Sequence, residues 1–257
     1  MSVLHVHAFG PAGAPPVLVA HGVTNTGRRY RRLAEEHLPG LRVLAVDLRG
    51  HGASTWDPPW SVEQHVADLL DTLDDAGIDR LPVVGHSFGG LVGVHLAAAA
   101  PERVASLVLL DPAGAVDAAR AAGNAEGART DEGWATREEA RAARLAMRPP
   151  QSRDTVDEDL DTFLDQGPDG RWRLRFSRPA VVTAWSEMAR AAPSLAGYPG
   201  RVVLATALQD PYVTDAFRAA LARDLGDRLE QVGIDAGHAL FWDAPDEVGA
   251  LVRAAAA

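Results

Sequence analysis

The 257-residue chain has 35 acidic and 25 basic side chains, which give a formal net charge of −10, and it contains no cysteine. The acidic balance argues against nucleic-acid binding, which requires a positively charged face. The lack of cysteine excludes disulfides, thiolate nucleophiles and cysteine metal sites. Every basic residue is arginine, so covalent chemistry on lysine is excluded as well.

The sequence predicts no transmembrane helix, because no run of about 18 consecutive apolar residues occurs. Residues 1–5 lack the basic region and apolar core that begin a secretory signal. At this length, and with 47% hydrophobic residues, the chain can build one large core. We therefore expect a cytoplasmic monomer or homodimer that acts on a small molecule, with neither nucleic acid nor membrane as a partner.

The first predicted element is an edge strand over residues 3–9, where apolar residues alternate with His5 and His7. Two histidines at this spacing could ligate a metal, but the sequence shows no partner cluster, so we predict solvated edge positions and no metal. The apolar run 17–20 then predicts a buried parallel strand.

The turn after this strand, His21-Gly22-Val23, lies at the carboxyl edge where α/β proteins bind ligands. There the Val23 N–H is a candidate donor to an oxyanion, and a helix is predicted over residues 29–38. Another buried strand at 43–46 leads into the glycine-punctuated loop 47–54. We interpret this loop as locked beneath the site by an Asp47–Arg49 network, with His51 in a supporting position.

Ser61 begins a capping box, Ser-x-x-Gln, that predicts a helix ending at Ala76. The next stretch is the most specific in the chain: a β-branched strand, then Gly85-His86-Ser87-Phe88-Gly89, then a helix over 91–100. A serine on so tight a turn needs small neighbours two residues to either side, and it presents its hydroxyl at the positive end of a helix. A further buried strand, 104–110, ends at Asp111.

Residues 113–195 do not continue the alternation of strands and helices. This segment is rich in alanine, arginine and acidic residues, which predicts a helical insertion over the sheet. Helices are predicted from residue 137, around residues 160–164 and from Pro179, with an extended segment at 172–176. The larger side chains of the insertion, together with two histidines beside the sheet edge, are weak candidates for the substrate pocket. These residues are His21, His86, Trp134, Met147, Trp172, Trp185 and Met188.

The sequence next predicts a strand at 201–205. It is followed by a helix at 215–225, a strand at 229–234 and a last helix from Pro245. Alternating strands and helices with short links predict an α/β fold, with a mostly parallel sheet flanked by helices. We assign residues 1–112 and 196–257 to this core domain and residues 113–195 to an inserted helical cap.

Ser87, Asp210 and His238 each follow a predicted strand, so all three belong at the same edge of the sheet. A serine hydroxyl becomes a nucleophile when a histidine takes its proton, and the histidine needs a carboxylate to fix its tautomer. Asp111 also ends a strand at this edge. We favour Asp210, since the segment from 210 to 238 accommodates one helix and one strand, and Asp111 stays open as the alternative.

These motifs resemble those of the α/β-hydrolase family over nearly the whole chain. His21-Gly22 resembles the family's oxyanion turn, and Gly237-His238 resembles the position of its histidine. The stretch that resembles its nucleophile elbow is Gly85-His86-Ser87-Phe88-Gly89-Gly90. The serine at the elbow, where dehalogenases and epoxide hydrolases carry aspartate, resembles the serine esterases and the cofactor-free haloperoxidase-like branch. The resemblance implies an α/β-fold serine hydrolase with a helical cap and no cofactor, in which the N–H groups of Val23 and Phe88 hold the oxyanion.

The expected reaction is hydrolysis of a carboxylic ester or lactone through an acyl-enzyme on Ser87, with Asp210 orienting His238. A C–C hydrolase acting on a diketone with the same three residues is the alternative. A non-catalytic ligand receptor is the third interpretation.

Overall fold

The computed structural model describes residues 2–146, 153–209 and 211–257. Within them, seven strands form a central sheet in the order β1-β3-β2-β4-β5-β8-β9, in which β1 is antiparallel to β3 and the other neighbours are parallel. The strands of this sheet are β1 Val6–Phe9, β2 Pro16–Ala20, β3 Arg42–Val46, β4 Leu81–His86, β5 Val104–Leu110, β8 Arg201–Ala207 and β9 Leu229–Ile234.

Helices cover both faces of the sheet, because alternate strand residues point to opposite sides. Leu18 belongs to the hydrophobic cluster on one face and Val17 and Val19 to the cluster on the other. The helices that flank the sheet are α1 Val62–Asp75, α2 Phe88–Ala99, α7 Asp215–Leu225, α8 Leu240–Asp243 and α9 Pro245–Ala256. The mostly parallel α/β architecture is therefore confirmed.

In the described part of the chain between β5 and β8 there are four helices and a small hairpin. These elements are α3 Ala118–Thr130, α4 Arg137–Leu145, α5 Arg153–Phe163, β6 Leu164–Gln166, β7 Trp172–Leu174 and α6 Arg178–Met188. α3 packs against α6, whose buried side chains join the main core, while α4 and α5 share a separate small cluster built around Val156 and Leu160. Whether this segment serves as a substrate cap stays a prediction.

Two helices begin with a polar cap at their predicted positions. The Ser61 side chain accepts from the N–H of Gln64 at the start of α1, and the Thr136 side chain accepts from that of Glu139 at the start of α4. The predicted helix at 29–38 is instead a 3₁₀ turn, Gly27–Tyr30, followed by a π-helical turn, Leu33–His37.

Inside the insertion, one prediction was wrong and one helix was missed. Leu164 opens strand β6 instead of continuing a helix, because it pairs with Leu174 in the hairpin. α3 was not predicted, since its only buried residue is Ala121 and it therefore lacks an apolar stripe. Within the described ranges, no helix has the length and apolar character needed to cross a bilayer.

Candidate active site

The Gly85–Gly89 stretch forms a strained turn between β4 and α2. Ser87 has φ 53° and ψ −118°, a positive φ that side-chain-bearing residues rarely adopt. A Cβ on Gly85 would collide with the carbonyl oxygen of Gly89, so the strand and helix can pass only with glycine there. The turn leaves Ser87 directly before the N-terminus of α2, where the helix dipole favours negative charge.

The turn after β2 lies against this serine. A Cβ on Gly22 would come within 3.0 Å of the Ser87 Cβ and 2.9 Å of the His86 Nδ1. Val23 follows directly, and neither its N–H nor that of Phe88 donates to an acceptor among the described residues. Both predicted oxyanion donors thus lie on the two segments that meet at Ser87.

His238, on the loop after β9, pairs with a fully buried carboxylate. Its Nδ1 lies 2.6 Å from Oδ2 of Asp111, the residue that follows β5. The His238 side chain is 25% exposed and Asp111 is inaccessible, so one edge of the imidazole lies against a buried carboxyl group. Such a contact fixes the Nδ1–H tautomer and leaves Nε2 free to accept a proton.

The sequence favoured Asp210 as the partner of His238, with Asp111 as the alternative, and the contact that the described residues make is with Asp111. β5 lies between the elbow strand β4 and β8 in the sheet, so a residue at its end lies between serine and histidine. Asp210 itself lies outside the described residues.

The loop after β8 contributes backbone donors to Asp111. Ala207 N–H donates to Oδ1 over 3.3 Å, and Tyr212 N–H donates to Oδ2 over 3.0 Å. With His238 these donors satisfy a carboxylate that burial would otherwise destabilise. Asp111 also has a positive φ of 42°, and its own N–H donates to the Ala205 carbonyl over 2.7 Å.

His86, predicted as a pocket residue, lies beneath His238. Its Nε2 donates to the His238 carbonyl over 2.9 Å, and the two rings lie 4.7 Å apart between centroids. Burial lowers the pKa of His86 well below its usual range, and the neighbouring His238 acts in the same direction. His86 is therefore a neutral imidazole that positions the loop carrying His238.

Two further neutral histidines hold the turn at Gly22. The Nδ1 of His21 donates to the Gly22 carbonyl over 2.7 Å, and its Nε2 accepts from Leu48 N–H over 2.9 Å. The Nε2 of His51 accepts from Thr24 N–H over 3.3 Å. Burial lowers the pKa of His21 to about 4 and that of His51 to about 3. Both side chains support the turn, and His21, a predicted pocket residue, is fully buried.

The predicted support loop 47–54 is held by two separate acids. The Asp47 carboxylate accepts from Gly27 N–H over 2.8 Å and from Ala53 N–H over 2.9 Å. Arg49 instead makes a two-point contact with Asp68 on α1, at 2.6 and 2.7 Å.

The pocket candidates of the insertion occupy different places. Trp185 and Met188 on α6 are buried in the main core, with 8% and 0% exposure. Trp134 and Trp172 pair with each other through main-chain hydrogen bonds of 2.9 and 2.8 Å and pack on the small cluster of α4 and α5. Met147 lies outside the described residues.

Tyr212 was missed by the sequence reasoning. Its ring lies 4.3 Å from that of His238 and 6.1 Å from that of Trp185, so Trp185 reaches the site through Tyr212. The guanidinium of Arg120, on α3, lies 3.7 Å from the outer face of Tyr212. An aromatic residue two positions after Asp210 was the available signal.

Known proteins resemble this chain in sequence and in fold. Residues 17–251 match the family model described as "Alpha/beta hydrolase family". "Lipase LipV" of Mycobacterium tuberculosis is 41% identical over 257 aligned residues, covering 97% of this chain and 96% of the relative. "Esterase YbfF" of Escherichia coli is 28% identical, and the alignment covers 93% of this chain and 91% of the relative.

Among solved structures, an E-2-(acetamidomethylene)succinate hydrolase superposes with a TM-score of 0.84 at 20% identity, covering 98% of this chain and 94% of that one. At that identity the superposition supports the fold alone. The names of the two full-length relatives support a hydrolase.

Proposed function

Because the chain belongs to the alpha/beta hydrolase family, which its match over residues 17–251 establishes, we propose that it is a serine hydrolase that cleaves a carboxylic ester or lactone of a small organic molecule. The observation that carries the proposal is the 2.6 Å contact of His238 with buried Asp111, combined with the strained elbow that holds Ser87. The two relatives named lipase and esterase support the ester class.

In the proposed mechanism, the Ser87 hydroxyl attacks the carbonyl carbon while Nε2 of His238 takes its proton. Asp111 keeps the other imidazole nitrogen protonated and stabilises the imidazolium that forms. His238 then gives its proton to the leaving alcohol, and an acyl group stays on Ser87. Water attacks this ester with His238 again as the base, which regenerates the enzyme and releases the acid.

Backbone N–H donors stabilise the negative charge that develops on the carbonyl oxygen. The N–H of Phe88 lies at the first position of α2, and that of Val23 lies on the turn that contacts Ser87. Losing one donor of this kind costs an enzyme about 10²- to 10³-fold in kcat. The neutral His21 and His51 hold the turn, so its N–H groups keep their direction before substrate binds.

The proposal is tested by covalent labelling. A fluorophosphonate probe should react with Ser87 in the native protein, and the same preparation should hydrolyse short nitrophenyl esters. Ser87→Ala should lose labelling and lower kcat by several orders of magnitude with the fold intact. Ser186→Ala is the matched control, because Ser186 is exposed on α6 and should keep both activities.

Two results would contradict the proposal. Full ester turnover by Ser87→Ala would remove the serine from the chemistry. Absence of labelling in a folded native protein would favour the ligand-receptor interpretation.

A further inference from the structure

Among the residues that the structure describes, one group of three metal-ligating side chains lies within mutual reach, and it is separate from the candidate active site. His5, His7 and Asp47 each offer a ligand atom, and these atoms lie within 4.8 Å of one another. We propose that this group binds a divalent transition metal of the zinc class, with two imidazole nitrogens and one carboxylate oxygen as its ligands.

The sheet register explains why these three residues meet. β1 runs antiparallel to β3 with Val6 opposite Val46, and the N–H of Asp47 donates to the His5 carbonyl over 2.9 Å. His5 is therefore opposite Asp47, and directly opposed residues project from the same face of a sheet. His7 lies two residues after His5, so it shares that face.

The distances fit tetrahedral coordination. His7 Nε2 lies 3.2 Å from Asp47 Oδ1. Zinc bonds of about 2.0–2.2 Å at tetrahedral angles place neighbouring ligand atoms roughly 3.3 Å apart. The exposed His5 ring lies 4.6 Å from that of His7 and can close the remaining gap by side-chain rotation.

The carboxylate is already oriented for such a role. The N–H groups of Gly27 and Ala53 hold its two oxygens, as outer partners commonly hold metal-ligating carboxylates. Two neutral imidazoles and one carboxylate are a donor set that suits zinc, cobalt or nickel.

A proton competes with the metal for this place. A hydrogen bond joins His7 Nε2 to Asp47 Oδ1, so metal binding requires that nitrogen to be unprotonated. Binding therefore releases or relocates that proton.

The experiment is a cobalt and zinc titration of the untagged, EDTA-treated full chain. Cobalt should give the visible absorption of a tetrahedral site at one equivalent, and calorimetry with zinc should give the same stoichiometry. His5→Ala should weaken zinc binding by at least about 10-fold. His7→Gln, whose amide can still donate to Asp47, should do the same while keeping the fold.

His37→Ala is the matched control, because His37 is also an imidazole beside carboxylates, Asp246 at 2.9 Å and Glu36 at 3.8 Å, but it lies outside the group of three. It should bind zinc as the native chain does. The proposal is overturned if the native chain shows no tetrahedral cobalt spectrum, or if His5→Ala binds zinc equally well. It also fails if His238→Ala, and not His5→Ala, abolishes the signal, since the metal would then lie at the active site.

Discussion

The Nε2 of His86 donates a hydrogen bond to the main-chain carbonyl of His238 over 2.9 Å, so the residue before the elbow serine holds the loop that carries the histidine. The two side chains proposed to exchange a proton thus come from segments joined by a direct contact. Because His86 is buried and neutral, this contact does not change with pH in the neutral range.

Replacing His86 should therefore slow turnover more than it weakens substrate binding. His86→Leu removes the donor, a loss of about 1 kcal/mol in positioning, and should lower kcat roughly 5- to 10-fold with little change in KM. His86→Gln can still donate a hydrogen bond, so its kcat should lie between that of the native protein and that of His86→Leu. Steady-state kinetics on a nitrophenyl ester measures this. Equal rates for the Leu and Gln variants would show that the hydrogen bond does not position His238.

Asp111 should be the acid on which activity depends. Asp111→Asn keeps the shape but presents an amide donor to His238 Nδ1, which favours the wrong tautomer and should cost about 10⁴-fold in kcat. Asp210→Asn is the comparison, and it should cost far less. If Asp210→Asn proves the more damaging of the two, the triad acid moves back to Asp210.

The elbow could be predicted from sequence because its constraints are local. Gly85 must lack a side chain and Ser87 must take a positive φ within five residues, so the motif itself carries the geometry. The choice between Asp111 and Asp210 is not local. It depends on where the loop after β9 brings His238, and both aspartates occupy the predicted edge.

The insertion was harder to predict for a related reason. α3 has a capping residue, Asp117, but almost no apolar face, because it buries only Ala121. The β6–β7 hairpin consists of three-residue strands, too short for a period of two to be visible. Such elements depend on tertiary contacts more than on their own pattern.

Acid should destabilise the fold between about pH 6.5 and pH 4. Burial lowers the pKa of His21 to about 4 and the pKa values of His51 and His65 to about 3. As pH falls below the unfolded value of about 6.5, the unfolded chain binds protons that the folded chain does not. The stability that comes from keeping these imidazoles neutral is therefore complete above that value and declines towards pH 4.

His65→Leu should flatten this dependence. His65 packs against Phe88 with ring centroids 5.2 Å apart, and leucine removes one titrating group from that buried position. The slope of unfolding free energy against pH should fall by up to about 1.4 kcal/mol per pH unit. Denaturant unfolding at pH 7, 6 and 5 measures it, with His5→Gln, an exposed side chain, as the control. An unchanged slope in His65→Leu would show that His65 titrates alike in both states.

The strongest link between the insertion and the core should be Asp159. Its Oδ2 lies 3.1 Å from Arg29, on the 3₁₀ turn after β2, and 3.0 Å from Arg144 on α4. The acid is buried, at 7% exposure, and each arginine is 12% exposed; burial lowers the pKa of Arg29. Asp159→Asn leaves the Arg29 guanidinium without this charge and should cost about 3–5 kcal/mol of unfolding free energy.

Asp157 provides the matched comparison, because it lies on the same helix and contacts Arg141 at 2.5 and 2.8 Å. That pair is open to solvent, at 34% and 46% exposure, so Asp157→Asn should cost at most about 1 kcal/mol. Denaturant unfolding of both variants gives the difference directly. Equal losses would mean that burial adds nothing at Asp159. A loss confined to Asp159→Asn would identify its carboxylate as the charge that holds the insertion beside the turn bearing Val23.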